Sequence, residues 1–316
     1  MEDKAEHVSV LLEETIEALS VKPDGVYCDA TAGKRGGFAK KILEKLATGM
    51  VVGLDADPEA VESLKADIGG DRRARIYRAN FRDMRELWEE EGLPGLDGVV
   101  MDLGLSTEQL ADPRRGFSFS SDGPLNMKYW ADGPGPTAAD IVNEAAEEEL
   151  TEIFYRWGER HARRIARGIC DARRSGRIET TGRLAEVARK SAPPARGGRD
   201  ASTLVFLALR AEANRELEAV EKGVRAAVDL MNPGGVLCVI TYQSAEDGLV
   251  KRLTRKMARG CRCDEERESC VCGEGTADIE LVNKKVIVPA KEEIARNRRA
   301  RSAKLRIVRK LTKEPQ

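Results

Sequence analysis

Short apolar runs, each closed by a glycine or an acid, alternate along this chain with stretches whose apolar residues recur at helical spacing. The runs predict strands at Val26–Asp29, Met50–Leu54, Arg75–Arg78, Gly98–Asp102 and Val236–Thr241. Helical spacing predicts Gly37–Leu46, Pro58–Ile68 and one long element, Ala201–Leu230, which stops at Asn232-Pro-Gly-Gly235. Such alternation is expected of a parallel α/β sheet covered by helices. The fourth and fifth strands stand about 130 residues apart, far beyond what one crossover helix needs. Residues 111–205 are therefore expected to form an inserted helical subdomain, with a loop at Pro193-Pro-Ala-Arg-Gly-Gly198. The sheet domain would then consist of 1–110 and 206–316. Val282–Val288 and Lys304–Val308 are expected to close the sheet as an antiparallel pair.

With 316 residues the chain can bury a substantial core. No apolar run approaches the ~18 residues needed to span a bilayer, and the first residues are charged. A soluble, cytoplasmic protein with no membrane partner is expected. The formal charge of −1 says nothing for a polyanionic partner, but its distribution does. Between Lys284 and Lys313 stand 12 Lys and Arg against 2 acids, and Arg156 to Arg177 holds 8 Arg against 2. Segregation of this kind marks either a nucleic-acid footprint or a solvated basic face. The two histidines, His7 and His161, cannot build a His-rich metal site. Cys28, Cys170 and Cys238 sit in apolar contexts that suit reduced, buried thiols. Cys261, Cys263, Cys270 and Cys272 form C-x-C-x6-C-x-C, read either as a structural zinc site or as free thiols on a surface excursion.

Candidate chemistry concentrates at strand ends. The first strand runs into Asp29-Ala-Thr-Ala-Gly33-Lys-Arg-Gly36-Gly37, and the second ends at Asp55. This is the first half of a nucleotide-binding βαβ unit, in which glycines admit a close ligand and the acid accepts ribose hydroxyls. The G-x-G-x-x-G fingerprint is absent, so an adenosine ligand without a pyrophosphate, such as S-adenosylmethionine, fits better. The fourth strand ends at Asp102, followed by Leu-Gly-Leu-Ser106 and Gln109. An exocyclic base amine is a poor nucleophile, and a carboxylate accepting its N–H would restore density to nitrogen. Asp102 suits that task and equally suits a cofactor contact. No cysteine follows this strand, which argues against covalent methylation at a pyrimidine carbon. Seven of the 14 aromatics fall between Phe117 and Trp157, interleaved with Arg and Lys. That mixture suits stacking on unpaired bases, with Phe117 and Phe119 the better candidates and Phe154 and Trp157 the core.

Several motifs occur in order: His7-Val-Ser-Val-Leu-Leu-Glu13, Asp29-Ala-Thr-Ala-Gly33, Asp102-Leu-Gly-Leu-Ser106 with Gln109, and Arg115-Gly-Phe-Ser-Phe119. Leu209-Arg210 with Asn214-Arg-Glu-Leu217, Ser244-Ala-Glu246-Asp247 and Asn297-Arg-Arg-Ala-Arg301 follow. Together they resemble the bacterial 16S rRNA (cytosine-N(4))-methyltransferase family (RsmH/MraW) over nearly the whole chain. The resemblance implies a Rossmann-like class I methyltransferase sheet with an inserted helical substrate-recognition subdomain. It implies S-adenosylmethionine as cofactor and a cytidine of 16S rRNA, in the small ribosomal subunit, as substrate. Cofactor contacts would fall on Gly36, Gly37, Phe38, Asp55, Phe81, Asp102 and Gln109. Asp102, Ser106 and Asn126 form the candidate catalytic set. Phe117, Phe119, Lys128, Tyr242, Ser244 and Arg301 are the candidate substrate contacts.

The departures mark a divergent member or paralogue. Phe38 stands where the family usually has histidine, and Leu125-Asn126-Met127-Lys128 replaces L-D-M-R. Tyr242-Gln243-Ser244-Ala245-Glu246-Asp247-Gly248 replaces F-H-S-L-E-D-R, and Asp200-Ala-Ser-Thr203-Leu204-Val-Phe206-Leu207 replaces H-P-A-T-R-T-F-Q. The competing expectations are a methyltransferase for another rRNA nucleotide or a protein, and a cofactor-binding ribosome assembly factor with little turnover. The oligomeric state is left open, a homodimer being one arrangement.

Overall fold

A computed structural model describes residues 9–130, 133–192, 200–260 and 277–312. The chain forms two compact units, Met1–Gly104 with Glu218–Gln316, and Leu105–Leu217. The first half of the sheet unit runs α1 (Leu12–Leu19), β1 (Val26–Asp29), α2 (Gly37–Leu43), β2 (Met50–Asp55) and α3 (Pro58–Ile68). It continues through β3 (Ala74–Arg78), α4 (Met84–Glu90) and β4 (Leu96–Asp102). The helical unit follows with α5 (Thr107–Ala111), α6 (Ala138–Glu144), α7 (Glu147–Arg156), α8 (Ala162–Arg174), α9 (Thr181–Ser191) and α10 (Ser202–Ala213). The chain returns through α11 (Glu216–Leu230), β5 (Met231–Thr241), α12 (Ser244–Ala258), β6 (Ile279–Leu281), α13 (Lys291–Arg296) and β7 (Lys304–Lys310).

The sheet order is β3-β2-β1-β4-β5-β7-β6. Pairs from β3 to β5 are parallel, and β7 runs antiparallel to both its neighbours. Val51, Val52, Val99, Val100, Leu237 and Cys238 are fully buried, as strands covered on both faces require. The order reverses between β1 and β4, which opens a crevice outside their carboxyl ends. Proline starts α3 at a position with no amide bond to lose, and the Asp57 carboxylate accepts the Glu59 N–H.

Three expectations change. The long helix predicted over Ala201–Leu230 is two helices, broken at Asn214-Arg215, with Arg215 left-handed at φ 52°. Asn214 causes the break by leaving the helix pattern to hold another segment. Its side chain accepts the Tyr129 N–H at 3.0 Å and donates to the Met127 carbonyl at 2.7 Å. The apolar face of α10 packs against α6, α7 and α9, so this helix belongs to the helical unit rather than to the sheet. The strand predicted over Val282–Val288 is found at Ile279–Leu281 instead. Beyond it the Asn283 side chain takes over the ladder, accepting from Ile307 N and donating to the Leu305 carbonyl, and the backbone rejoins β7 at Ile287, which exchanges both amide bonds with Leu305 as an isolated antiparallel bridge. The Asn232-Pro-Gly-Gly turn survives as a bulge inside β5, where Met231 pairs with Leu96 but Val236 with Gly98.

The α10–α11 junction is fixed by a buried ion pair. Arg210 donates from Nε and a terminal nitrogen to the two Glu216 oxygens at 2.7 and 2.8 Å, and the Tyr129 hydroxyl adds a third bond at 2.7 Å. Removing one partner leaves a charge and a phenol poorly compensated in a dry site. Glu216→Ala is expected to cost about 3 kcal/mol, read as a lower urea midpoint with an unchanged slope.

Candidate cofactor and active site

Three carboxylates stand at the carboxyl ends of neighbouring strands: Asp29 on β1, Asp55 on β2 and Asp102 on β4. Asp29 has no solvent exposure. Its Oδ2 accepts the Ala39 N–H at 3.0 Å and its Oδ1 that of Thr31 at 3.3 Å, tying the strand end to the first turn of α2. Burial pushes its pKa up to about 7 against those two bonds, and the charges of Asp102 and Asp55 push the same way.

Between β1 and α2 the chain passes Gly33 at φ 63° and Gly36 at φ 57°, conformations that glycine adopts without strain. The Gly33 amide donates to Asp55 Oδ2 at 2.8 Å, while Asp55 Oδ1 accepts the Asp57 N–H at 2.8 Å. A Cβ at Gly33 would meet nothing within 4 Å, so open space borders the Asp55 carboxylate. One at Gly36 would strike Leu64 Cδ1 at 2.2 Å, and one at Gly37 would strike Ser9 Oγ at 2.1 Å. The loop is thus a glycine-lined cradle beside an acid. Phe81 packs its ring over Gly223 of α11, where a Cβ would come within 2.4 Å of Cδ2.

Asp102 is partly buried, and its amide donates to Thr31 Oγ1 at 2.7 Å, which locks the end of β4 to the β1 loop. The Tyr242 hydroxyl donates to Asp102 Oδ1 at 2.9 Å. Burial pushes the Asp102 pKa up to about 7, the Tyr242 bond pulls it down, and the Glu246 charge pushes it up. Tyr242 is itself pushed well above the ordinary phenol range by burial and then by Asp102, so it stays a donor. Glu246, 2% exposed at the start of α12, accepts the Gln243 and Tyr242 amides at 3.2 and 3.4 Å. The strand-end acids therefore form a negatively polarised lip that favours a cationic or hydroxyl-bearing ligand.

The sequence-based candidates separate into groups. Gly36, Gly37, Asp55, Phe81, Asp102 and Tyr242 belong to the sheet unit, the three charged or phenolic groups at its strand ends. The Phe38 side chain does not join them: it is 3% exposed and packs in the core around Ile42 and Val51, a correction to its expected cofactor contact. Ser244 and Arg301 are exposed on the same unit. Ser106 and Gln109, on the helical unit, form a reciprocal capping box at the start of α5, with bonds of 3.0 and 3.1 Å. Asn126 Oδ1 accepts the Lys128 N–H at 2.9 Å and so braces its own turn.

Lys128 was expected at the substrate, yet it is 5% exposed and donates to the carbonyls of Pro134 and Ala213 at 2.5 and 3.0 Å. It fastens a loop. Phe117 is 6% exposed and faces the Tyr129 ring, with centroids 6.2 Å apart. Phe119 sits between Phe206, edge-on at 5.0 Å, and the Arg189 guanidinium at 5.6 Å. Phe117 is thereby part of the packing, while Phe119 is partly exposed with Arg189 over its ring. His7 and the four clustered cysteines lie outside the described residues. Among the described residues no group of His, Cys, Asp or Glu could hold a metal ion, and no helix is long and apolar enough to cross a membrane. Sequence reasoning missed the work of Asp29, Thr31 and Glu246; an acid and a threonine two apart at a strand end were the available signal.

A seven-stranded sheet in this order, with β7 reversed and a glycine loop facing an acid at the end of β2, defines a Rossmann-like class I methyltransferase. More narrowly, the chain belongs to the MraW methylase family, whose model matches residues 4–311. It is 44% identical over 310 residues to "Ribosomal RNA small subunit methyltransferase H" of Carboxydothermus hydrogenoformans, covering 97% of this chain and 98% of that one. A protein of the same name from Clostridium botulinum (strain Loch Maree) is 40% identical over 96% of this chain and 99% of its own length. A solved rRNA methylase from Streptococcus thermophilus resembles the structure at a TM-score of 0.43 and 9% identity, covering 96% of this chain and 99% of that one, too slight a likeness to add to the argument.

Tyr242→Phe removes the bond that holds the Asp102 pKa down. The Asp102 midpoint is expected to rise from about 7 by roughly one unit, followed by carboxyl carbon NMR. An unmoved midpoint would show that the phenol does not hold that oxygen.

Proposed function

We propose that this chain transfers a methyl group from S-adenosylmethionine to the exocyclic N4 amine of a cytidine in small-subunit ribosomal RNA, as a cytoplasmic enzyme. Relatives matched along almost its whole length carry that RNA class in their names. The structural observation that carries the reading is Asp102, a strand-end carboxylate whose Oδ1 is held by Tyr242 and whose Oδ2 takes no hydrogen bond from the described residues.

The residues suit the cofactor. Asp55 beside the open Gly33 loop offers carboxylate oxygens to ribose hydroxyls, while Gly36 and Gly37 let Leu64 and Ser9 close in on the start of α2 and so fix the loop that would hold the ligand. The acidic lip favours a sulfonium cation. When bound, S-adenosylmethionine supplies an electrophilic methyl carbon. Asp102 accepts the N–H of the cytosine amine through Oδ2, which keeps the nitrogen lone pair directed outward. As the N–C bond forms and the C–S bond breaks, the amine becomes acidic, and Asp102 takes its proton. A base with a pKa near 7 is matched to that task at neutral pH.

The sign of the pH dependence follows. Protonation disables Asp102, so the single-turnover rate should rise as pH climbs through about 7 and then level off. Asp102→Asn should lose that limb and more than about tenfold in rate, with cofactor affinity measured alongside by calorimetry. A lost affinity with a normal rate at saturation would instead place Asp102 on the cofactor. Asp55→Ala should abolish cofactor binding in the same calorimeter; normal affinity would remove it from the site. The substrate itself is tested by methyl incorporation into small-subunit RNA from a strain lacking the gene, followed by mass mapping. RNA binding without incorporation would favour an assembly factor.

A further inference from the structure

The exposed corner where α7 turns into α8 has features that packing of the helical unit does not explain. Tyr155, in the last turn of α7, is 60% exposed and is the one large exposed aromatic among the described residues. Its neighbours Phe154 and Trp157 already fill the core at 0% and 7% exposure. Arg160 lies in the connecting turn, and Arg163 and Arg164 lie in the first turn of α8. All three are exposed, and none pairs with any described residue.

Other arginines of this region are engaged. Arg156 pairs with Glu212 at 3.2 Å, Arg167 with Glu147 at 3.5 Å and Arg174 with Asp171 at 2.8 Å. Arg173 donates to the carbonyls of Val142 and Ala145. Glu159, the nearest acid in sequence, is 8% exposed and accepts the backbone N–H of His161 at 2.8 Å.

The unpaired set also works against the fold. Arg160, Arg163 and Arg164 place three like charges within five residues of the chain, with no described acid paired to any of them. The first turn of α8 holds no acid, and cations there oppose the helix dipole. A local conflict kept in a protein points to a ligand that resolves it.

We propose that this corner docks an unpaired stretch of the RNA substrate, with Tyr155 as a stacking platform for a base and Arg160, Arg163 and Arg164 as contacts to successive phosphates. The proposal rests on the RNA reading given above. An exposed ring at a helix end, with exposed arginines in the turn and helix that follow, matches single-stranded RNA better than duplex, whose bases offer no free face.

The test uses the full chain and a labelled 12-nucleotide oligocytidylate, followed by anisotropy across a salt series, with a duplex RNA of equal length in parallel. Replacing Arg160, Arg163 and Arg164 together by Ala should flatten the slope of log affinity against log salt by about two. The triple variant should melt at or above the wild-type temperature, because it removes two cations from the first turn of α8. Tyr155→Ala should weaken single-strand binding about tenfold with the slope unchanged. Tyr155→Phe should restore it, and the ion-paired Arg174→Ala should behave as wild type. Wild-type binding by both the triple variant and Tyr155→Ala would overturn the proposal, including the case in which the corner serves a protein. Failure of the functional reading looks different: wild-type protein would bind cofactor yet show neither salt-dependent RNA binding nor methyl incorporation.

Discussion

A carboxylate without access to water holds the cofactor end of the sheet together. Asp29 gives its two oxygens to the Thr31 and Ala39 amides, and through them sets where the glycine loop leaves β1 and where α2 begins. Thr31 then receives the Asp102 amide, so the ends of β1 and β4 are coupled through one hydroxyl. Gly33, on the same loop, donates to Asp55 and couples β2 to the set. The charges of Asp102 and Asp55 both press on Asp29, where two backbone amides oppose them, while the Tyr242 phenol steadies Asp102. Burial is the first cause of the raised pKa of Asp29 and of Asp102, and neighbouring carboxylates add to it, Asp102 and Asp55 at Asp29 and Glu246 at Asp102.

The helical unit is organised on a different principle. Its polar motif residues are consumed in joining distant backbone segments. Asn214 bonds to both sides of the 127–129 segment, Lys128 reaches the last carbonyl of α10, and Glu216 gathers Arg210 and Tyr129. Two non-glycine residues, Met127 and Arg215, are left-handed at the points so joined. Such conformations cost about 1 kcal/mol or more each, so the surrounding bonds must over-determine them. Residues that look like a substrate site in sequence are therefore the braces that shape this unit.

The contrast explains what was legible. The strands of the parallel half and the acids at their ends could be read because apolar runs, glycines and terminal carboxylates are local signals. Asp55 and Asp102 are where that pattern put them. The Lys128 and Phe117 side chains were placed at the substrate because composition cannot tell an exposed base-stacking mixture from a packed loop; burial separates the two. The same holds for Asp200. Its carboxylate accepts from Arg189 at 2.8 and 3.0 Å and from the Ser202 amide at 2.8 Å, and Arg189 covers Phe119. The helix break at Asn214 and the displaced β6 escaped for a related reason. Each depends on one asparagine side chain bonding to a segment far away in sequence, which no periodicity records.

The substitutions around Tyr242 bear directly on the Asp102 carboxylate. The resemblance leads one to expect Phe-His at 242 and 243, where this chain has Tyr-Gln. An imidazole is lost there, but the tyrosine brings a hydroxyl that a phenylalanine would lack, and that hydroxyl bonds directly to Asp102. A neutral donor on a half-buried carboxylate lowers its pKa without adding a titrating group near pH 7. An imidazole in the same neighbourhood would itself change charge over the interval in which Asp102 ionises. With Tyr242 in place, ionisation of the lip is governed by its carboxylates alone. The exchange accordingly alters how the site responds to pH while leaving its strand-end carboxylate in position, the behaviour expected of a retuned active site.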